Sequence, residues 1–421
     1  MPKQVILGAH FPGVNNTTVW SDPRAGSQIE FASFAHLART AERGRFDFFF
    51  LAEGLRLREQ RGLIHDLDVV GRPDTLTVLA GLAAVTERLG LAGTLNATFH
   101  EPYELARQLA TLDHLSGGRA AWNVVTSSGA FFGANFRRGG FLEHRLRYER
   151  AGEFIRTAKR LWDTDGGDFA VRGAQFDIAG RFGVPRSPQG HPVIFQAGDS
   201  EGGRELAAAE ADAVFSRHHE IEDARAFYRD VKGRLRRYGR NPDDLKIIPG
   251  VSFVLGDSDA DAREKAHHIR RQQVSPQTAI LLLEQVWNRD LSGYDPDGPL
   301  PAVDPDVSDH TVVQGRAGQY PDRLATAREW RERAEQKNLS IRELVIETTG
   351  RQSFVGTPQS VAAELDRYVQ TGACDGFILV PHLTPTGLDE FVDTVVPLLQ
   401  ERGVLRSEYR TTTLRGHLGV S

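Results

Sequence analysis

Apolar residues in this chain fall into short, nearly continuous runs that alternate with longer stretches in which they recur every three or four positions. Short runs of this kind are strands covered on both faces, and the longer stretches are amphipathic helices. Eight strands are predicted, at residues 5–9, 46–52, 89–95, 120–125, 193–197, 213–216, 247–255 and 376–380. Eight helices are predicted at 31–43, 75–85, 103–115, 146–162, 203–209, 221–238, 259–268 and 360–371. Strand and helix in regular alternation predict an α/β fold, and equal numbers of each favour a closed (β/α)8 TIM barrel over an open doubly wound sheet. An open sheet of that kind commonly carries Gly-x-Gly-x-x-Gly after its first strand, where this chain has Ala9-His10-Phe11-Pro12-Gly13.

Two segments interrupt the alternation. Residues 166–192 hold short runs punctuated by Gly and Pro, which predicts a hairpin excursion. Residues 285–356 contain Asp295-Pro296-Asp297-Gly298-Pro299-Leu300-Pro301, which reads as an ordered loop and, at a barrel mouth, as a lid. One barrel domain over residues 1–421 with these two insertions is the expected organisation.

Composition narrows the function classes. With 40% hydrophobic residues the chain buries a large core, and its net charge of −5 provides no basic field for nucleic acid or an anionic membrane. No run approaches the roughly 18–20 apolar residues of a membrane span. The first residues carry no apolar stretch with a small-residue cleavage site, so a cytoplasmic protein is expected. The single cysteine, Cys374, reads as a small packed residue.

Candidate chemistry lies where the predicted strands end, because barrels build their sites at that rim. These ends are His10, Glu53-Gly54, Asn96-Ala97-Thr98, the run 123–128 and Gly198-Asp199-Ser200. Rich in donors and acceptors and poor in charge, they suit an uncharged heteroaromatic ligand. The turn at Gly198 and Ser200 opens a helix, whose free N–H groups bind a phosphate or are simply capped by Ser200. His144 and Tyr148 are four apart and share a helix face, as a ligand pair or as a solvated His beside a packed Tyr. The adjacent pairs His218-His219 and His267-His268 diverge on a helix and predict no metal site. Ser127 and Ser128 lack the Gly-x-Ser-x-Gly elbow of a nucleophilic serine.

Several runs together carry a resemblance. They include Phe46-Asp47-Phe48-Phe49-Phe50-Leu51-Ala52-Glu53-Gly54, Asn96-Ala97-Thr98-Phe99-His100-Glu101-Pro102-Tyr103 and Leu112-Asp113-His114-Leu115-Ser116-Gly117-Gly118-Arg119. Trp122-Asn123-Val124-Val125-Thr126-Ser127, Arg147-Tyr148-Glu149-Arg150-Ala151, Gln196-Ala197-Gly198-Asp199-Ser200 and Phe354-Val355-Gly356-Thr357-Pro358 follow in order. Over nearly its whole length the chain resembles the bacterial luciferase-like flavin monooxygenases, in the branch of nitrilotriacetate and dibenzothiophene sulfone monooxygenases and pristinamycin synthase. The resemblance implies reduced FMN (FMNH2) as cofactor, supplied by a separate NAD(P)H-dependent flavin reductase, with O2 as co-substrate. It implies that Ala52, Glu53, Thr98 and Asn123 border the flavin ring. His144, Tyr148, Gly198 and Ser200 would reach its ribityl phosphate end.

His10 is the candidate acid/base or substrate-orienting residue, its alternative being a packed strand-end histidine. The implied reaction is oxygenation of a small heteroatom-bearing compound leading to C–S or C–N cleavage, in a homodimer or homotetramer. Organosulfur compounds, aminopolycarboxylates and nitrogen heterocycles, including a flavin-like molecule, all fit as substrates. A deazaflavin-dependent reductase, a flavin-binding protein without turnover and a phosphosugar enzyme are the rival readings. The chain departs from the family pattern at Glu53, where relatives commonly have Asp, and at Asp199, where they have Ser. It also departs at Asn96-Ala97-Thr98-Phe99, where relatives have Ser-Thr-Thr-Tyr, and loss of that tyrosine hydroxyl implies a more apolar substrate side.

Overall fold

The computed structural model describes residues 2–12, 18–57, 59, 60, 63, 64, 73–127, 130–136, 144–218, 220–308, 312–314, 320, 322–350 and 353–420. Ser128 and His219 lie outside these residues, and so does the side chain of His144. The eight apolar runs form eight parallel strands: β1 (Ile6–His10), β2 (Phe48–Leu51), β3 (Gly90–Asn96), β4 (Ala120–Val125), β5 (Val193–Gln196), β6 (Ala213–Ser216), β7 (Lys246–Val251) and β8 (Gly376–Leu379). Each pairs with its sequence neighbour, and β8 returns to β1 to close the barrel. The predicted TIM-barrel class is therefore the observed one.

Strand alternation sends every second side chain to the axis. Pairing of Gly8 with Phe48, Phe48 with Gly90, Ala92 with Ala121 and Ala121 with Val193 keeps inward residues level around the ring. The interior is a dry column of Ile6, Phe48, Phe50, Ala92, Ala121, Val193, Phe195, Ala213, Ile248 and Ile378. Phe50 meets Phe195 edge-on with centroids 6.2 Å apart and stacks on Phe215 at 5.5 Å. The C-terminal segment closes the lower end, as Leu414, Leu418 and Val420 join this column. Arg406 bonds the fully buried Asp47, whose other oxygen accepts the Leu7 N–H at 2.9 Å.

Around the barrel lie α1 (Phe31–Arg43), α2 (Thr75–Ala83), α3 (Pro102–Leu115), α4 (His144–Trp162), α5 (Glu201–Glu210) and α6 (Ile221–Arg234). They are followed by α7 (Asp259–Gln273), α8 (Pro276–Trp287), α9 (Arg323–Lys337), α10 (Ile341–Thr349), α11 (Pro358–Gln370) and α12 (Asp389–Glu401). Capping sets several starts: Asp74, Ser200, Ser275 and Thr357 each accept a backbone N–H of the first turn. The Ser-Gly-Gly-Arg run after α3 is structural. Gly117 and Gly118 take φ of 68° and 89°, which spares them the side-chain clash of the left-handed region. The buried Arg119 guanidinium donates to the carbonyls of Ala83, Thr86, Leu89 and Ser116.

Three expectations are corrected. The seventh strand, predicted as 247–255, breaks after Val251, because Phe253–Leu255 leaves the barrel to pair in parallel with Phe354–Gly356. Residues 285–356, read as a loop from their Pro-Gly cluster, contain α9 and α10. Those helices bury Trp330, Ala334, Ile341 and Leu344 against Leu281, Leu283 and Trp287 of α8, so the segment has a hydrophobic cluster of its own. The helix after β8 was not predicted: α12 carries Pro397 inside it, and Pro and Gly stand at 385 and 387 just before it. Both are breaker signals that burial of Phe391, Val395 and Leu399 overrides. In the 166–192 segment, Asp168–Arg172 pairs antiparallel with Asp177–Arg181.

Leu414 is fully buried under the barrel. Leu414→Ala is expected to cost about 2–5 kcal/mol by cavity formation. Urea unfolding followed by circular dichroism checks this, and the native spectrum should stay unchanged.

Candidate functional site

The upper end of the barrel collects polar groups that have no partner. β1 ends at His10, which is 5% exposed and lies 5.6 Å from the Phe50 ring, and its Nδ1 has no hydrogen-bond partner among the described residues. The same is true of Glu53 Oε2, two residues past β2, of Asn96 Nδ2 at the end of β3, and of Asn123 Oδ1 in β4. Asn123 is held by donating Nδ2 to Thr94 Oγ1 at 2.9 Å, its level neighbour on β3. Asn96 Oδ1 accepts the N–H groups of Thr98 and Phe99 at 2.6 and 3.0 Å, which curls the chain and leaves Thr98 3% exposed. Ala52 packs against the top of the aromatic column. Buried polar atoms without partners are costly, and a cluster of them at one mouth marks a ligand site.

Burial also resets the charges. It pushes the Glu53 carboxyl up to about 8, helped by the nearby negative charge of Asp74, so the group is protonated at neutral pH. Burial lowers His10 to about 4, and its imidazole is neutral. The mouth thus offers an uncharged mixture: an O–H and an amide N–H to donate, an amide oxygen to accept and an imidazole. That mixture complements a heteroaromatic ring whose edge alternates donors and acceptors.

Beside this mouth, the chain turns from β5 into α5. Ser200 caps the helix, accepting the Gly203 N–H at 3.3 Å, and its hydroxyl donates to Tyr148 Oη at 3.0 Å. A Cβ on Gly203 would lie 2.7 Å from the Gly198 carbonyl carbon, so the glycine lets the helix start sit directly on the turn. The result is a helix N-terminus with a hydroxyl pair, an arrangement suited to a phosphate. Asp199 turns away: Arg204 Nη2 donates to it at 2.9 Å and His218 Nε2 lies 3.1 Å from both its oxygens. Burial alone would raise this carboxyl, but His218 and Arg204 together hold it below the usual range.

The structure brings His10, Ala52, Glu53, Thr98 and Asn123 to the mouth and Tyr148, Gly198 and Ser200 to the turn. Helix α4 carries His144 in its first residue. Asn96, read from sequence as a strand end and a departure from the family pattern, and His100, which was not singled out, both present buried atoms without partners. Their signal was the polar run after an apolar strand, in which type alone did not say which residue pointed inward. Gln196 also has an unpartnered buried oxygen, but its register with Val124 places it on the outer face, beneath the Gly198 turn.

A parallel eight-stranded barrel with buried, unpartnered polar atoms at the carboxyl ends of its strands has the layout of an α/β-barrel enzyme. Residues 12–375 match the luciferase-like monooxygenase family model, and the chain belongs to that family. It is 38% identical to nitrilotriacetate monooxygenase component A of Aminobacter aminovorans, covering 99% of this chain and 95% of the relative. It is likewise 38% identical to dibenzothiophene-sulfone monooxygenase of Rhodococcus erythropolis, over 99% and 97% of the two chains. The crystal structure of a riboflavin lyase with modified FMN and riboflavin superposes with a TM-score of 0.80 at 27% identity, covering 100% of this chain and 96% of that one.

The Glu53 value predicts a pH signature. Its folded value of about 8 lies above the 4.5 of a free glutamate, so the folded state binds the proton more tightly. Stability from this group is complete below about 4.5 and is lost as pH rises through 8. Urea midpoints of the wild type should fall between about 6.5 and 8, above the range in which His10 opposes the trend, and Glu53→Gln should remove that fall. His10 acts with the opposite sign, since its lowered value makes stability drop as pH falls from 6.5 toward 4.

Proposed function

We propose that this chain uses reduced FMN and O2 to oxygenate a small heteroatom-bearing organic substrate, with C–S or C–N cleavage following. The observation that carries the reading is the set of buried, unpartnered polar atoms on His10, Glu53, Asn96 and Asn123 beside a capped helix start. Ala52, Glu53, Thr98 and Asn123 border the flavin ring in this reading. His144, Tyr148, Gly198 and Ser200 hold the ribityl phosphate end, and His10 orients the substrate. When bound, reduced FMN supplies the electrons that activate O2. The chain's own part is to bind, orient and exclude water.

Water exclusion rests on the aromatic column below and on the insertion above. The antiparallel pairing of Val313–Gln314 with Glu59–Gln60 of the β2 loop supports reading the insertion as a lid. The lid, as an elaboration of a single barrel domain, completes the reading of the chain's organisation. The designation of one relative as component A supports a separate NAD(P)H-dependent reductase as the source of reduced FMN. The riboflavin lyase structure, with its modified FMN, supports the flavin. The enzyme acts in the cytoplasm as a homodimer or homotetramer, and among the described residues no helix is long and apolar enough to cross a membrane.

Anaerobic titration with reduced FMN tests the proposal: saturable binding at micromolar concentration is expected, and none would refute it. Tyr148→Phe and Ser200→Ala should each weaken binding about tenfold, the worth of one hydrogen bond to a charged group. Unchanged affinity in both would remove the phosphate assignment.

A further inference from the structure

Past the end of β3 the chain forms a second wall of the mouth that the flavin assignment does not use. Phe99 stacks on Phe136 with centroids 5.1 Å apart and planes at 9°, and His100 meets the edge of Phe136 at 6.2 Å. Phe136 is 45% exposed, so part of its ring is open. Both sides of this wall are anchored. Arg150 of α4 donates to the carbonyls of Ala97 and His100 at 3.2 and 3.1 Å. The segment 130–136 is tied to the β2 loop, where Arg56 Nη1 donates to the Phe131 carbonyl at 3.1 Å and Asn135 Nδ2 to the Leu55 carbonyl at 2.9 Å. A flat aromatic surface is thus held in place rather than left on a loose loop.

One polar atom interrupts it. His100 Nε2 is buried with no hydrogen-bond partner among the described residues. Burial favours the neutral imidazole, against the opposing pull of the Glu104 and Asp74 carboxylates. Asp74 also acts on Glu53, so one negative charge bears on both the new wall and the flavin side of the mouth. A ligand here meets aromatic faces and a neutral imidazole. An aromatic body is favoured here by stacking.

We propose that Phe99, His100 and Phe136 form the substrate-selecting wall, which favours a planar aromatic compound bearing a hydrogen-bonding group. The inference rests on the flavin-pocket reading only for the location of the reacting end of the substrate. Phe136 supplies the stacking platform and His100 Nε2 the polar contact.

Two probes of opposite chemistry test this on the whole protein, dibenzothiophene sulfone as the neutral aromatic and nitrilotriacetate as the polycarboxylate. Fluorescence and calorimetric titrations, with and without FMN, should show the sulfone bound more tightly than nitrilotriacetate. Phe136→Ala and His100→Ala should each weaken sulfone binding about tenfold while FMN affinity stays within twofold. His100→Gln, which keeps a hydrogen-bonding atom, should recover part of the loss. Tighter binding of nitrilotriacetate, no binding of the sulfone, or unchanged sulfone affinity in both wall variants overturns the proposal. Absence of FMN binding in the wild type overturns the flavin reading instead, and the probe titrations without FMN then still decide this one.

Discussion

The exclusion of water from the barrel axis is the constraint on which the rest of the molecule depends. Closing eight parallel strands forces alternate side chains inward, and this chain fills the space with Phe48, Phe50, Phe195 and aliphatic neighbours, sealed below by Leu414 and Leu418. Groups placed on top of such a column are desolvated before any ligand arrives. That is why His10 is neutral and Glu53 keeps its proton, and why oxygen and nitrogen atoms of Asn96 and Asn123 remain without partners. The stability forgone at those atoms is consistent with a site already shaped for a polar heteroaromatic ligand.

The turn at the start of α5 works under different physics. Its charged groups, Asp199, Arg204, Asp230 and Arg234, are partly exposed and joined by ion pairs of 2.8–2.9 Å. Solvent screens such pairs, so their contribution to stability is small, but they hold Asp199 away from the helix N-terminus. Helix α4 links the two regions. Tyr148 reaches Ser200 at the turn, while Arg150, two residues on, braces the loop that follows β3. A rigid helix thereby fixes the spacing between the uncharged mouth and the capped helix start.

Much of this was legible from the residues in order. The runs at Ala120–Val125 and Ala213–Ser216 coincide with strands because continuous apolar residues between turn formers leave little else for the backbone to do. Helix α1 was equally plain, as one stripe of Phe34, Leu37, Ala38 and Ala41 faces the barrel. Local rules failed where distant contacts paid the cost of breaking them. Pro397 sits inside α12, whose Phe391, Val395 and Leu399 are buried. The Pro-Gly cluster at 295–301 gave no sign of the helices that follow it, which are held by Trp287 and Trp330 from different parts of the chain.

What the sequence by itself determined was the class of fold, the family and the list of polar residues at the strand ends. Those follow from periodicity and local residue order, which survive without coordinates. Only the tertiary structure decided which of those residues are buried without partners, that Gln196 belongs to the outer face, and that Asp199 turns from the helix start toward Arg204 and His218. It alone joined His100 to Phe136 and exposed both Glu53 and His100 to the charge of Asp74. The physical reason is that desolvation and through-space charge depend on what closes around a group, and barrel closure brings together atoms far apart in the chain.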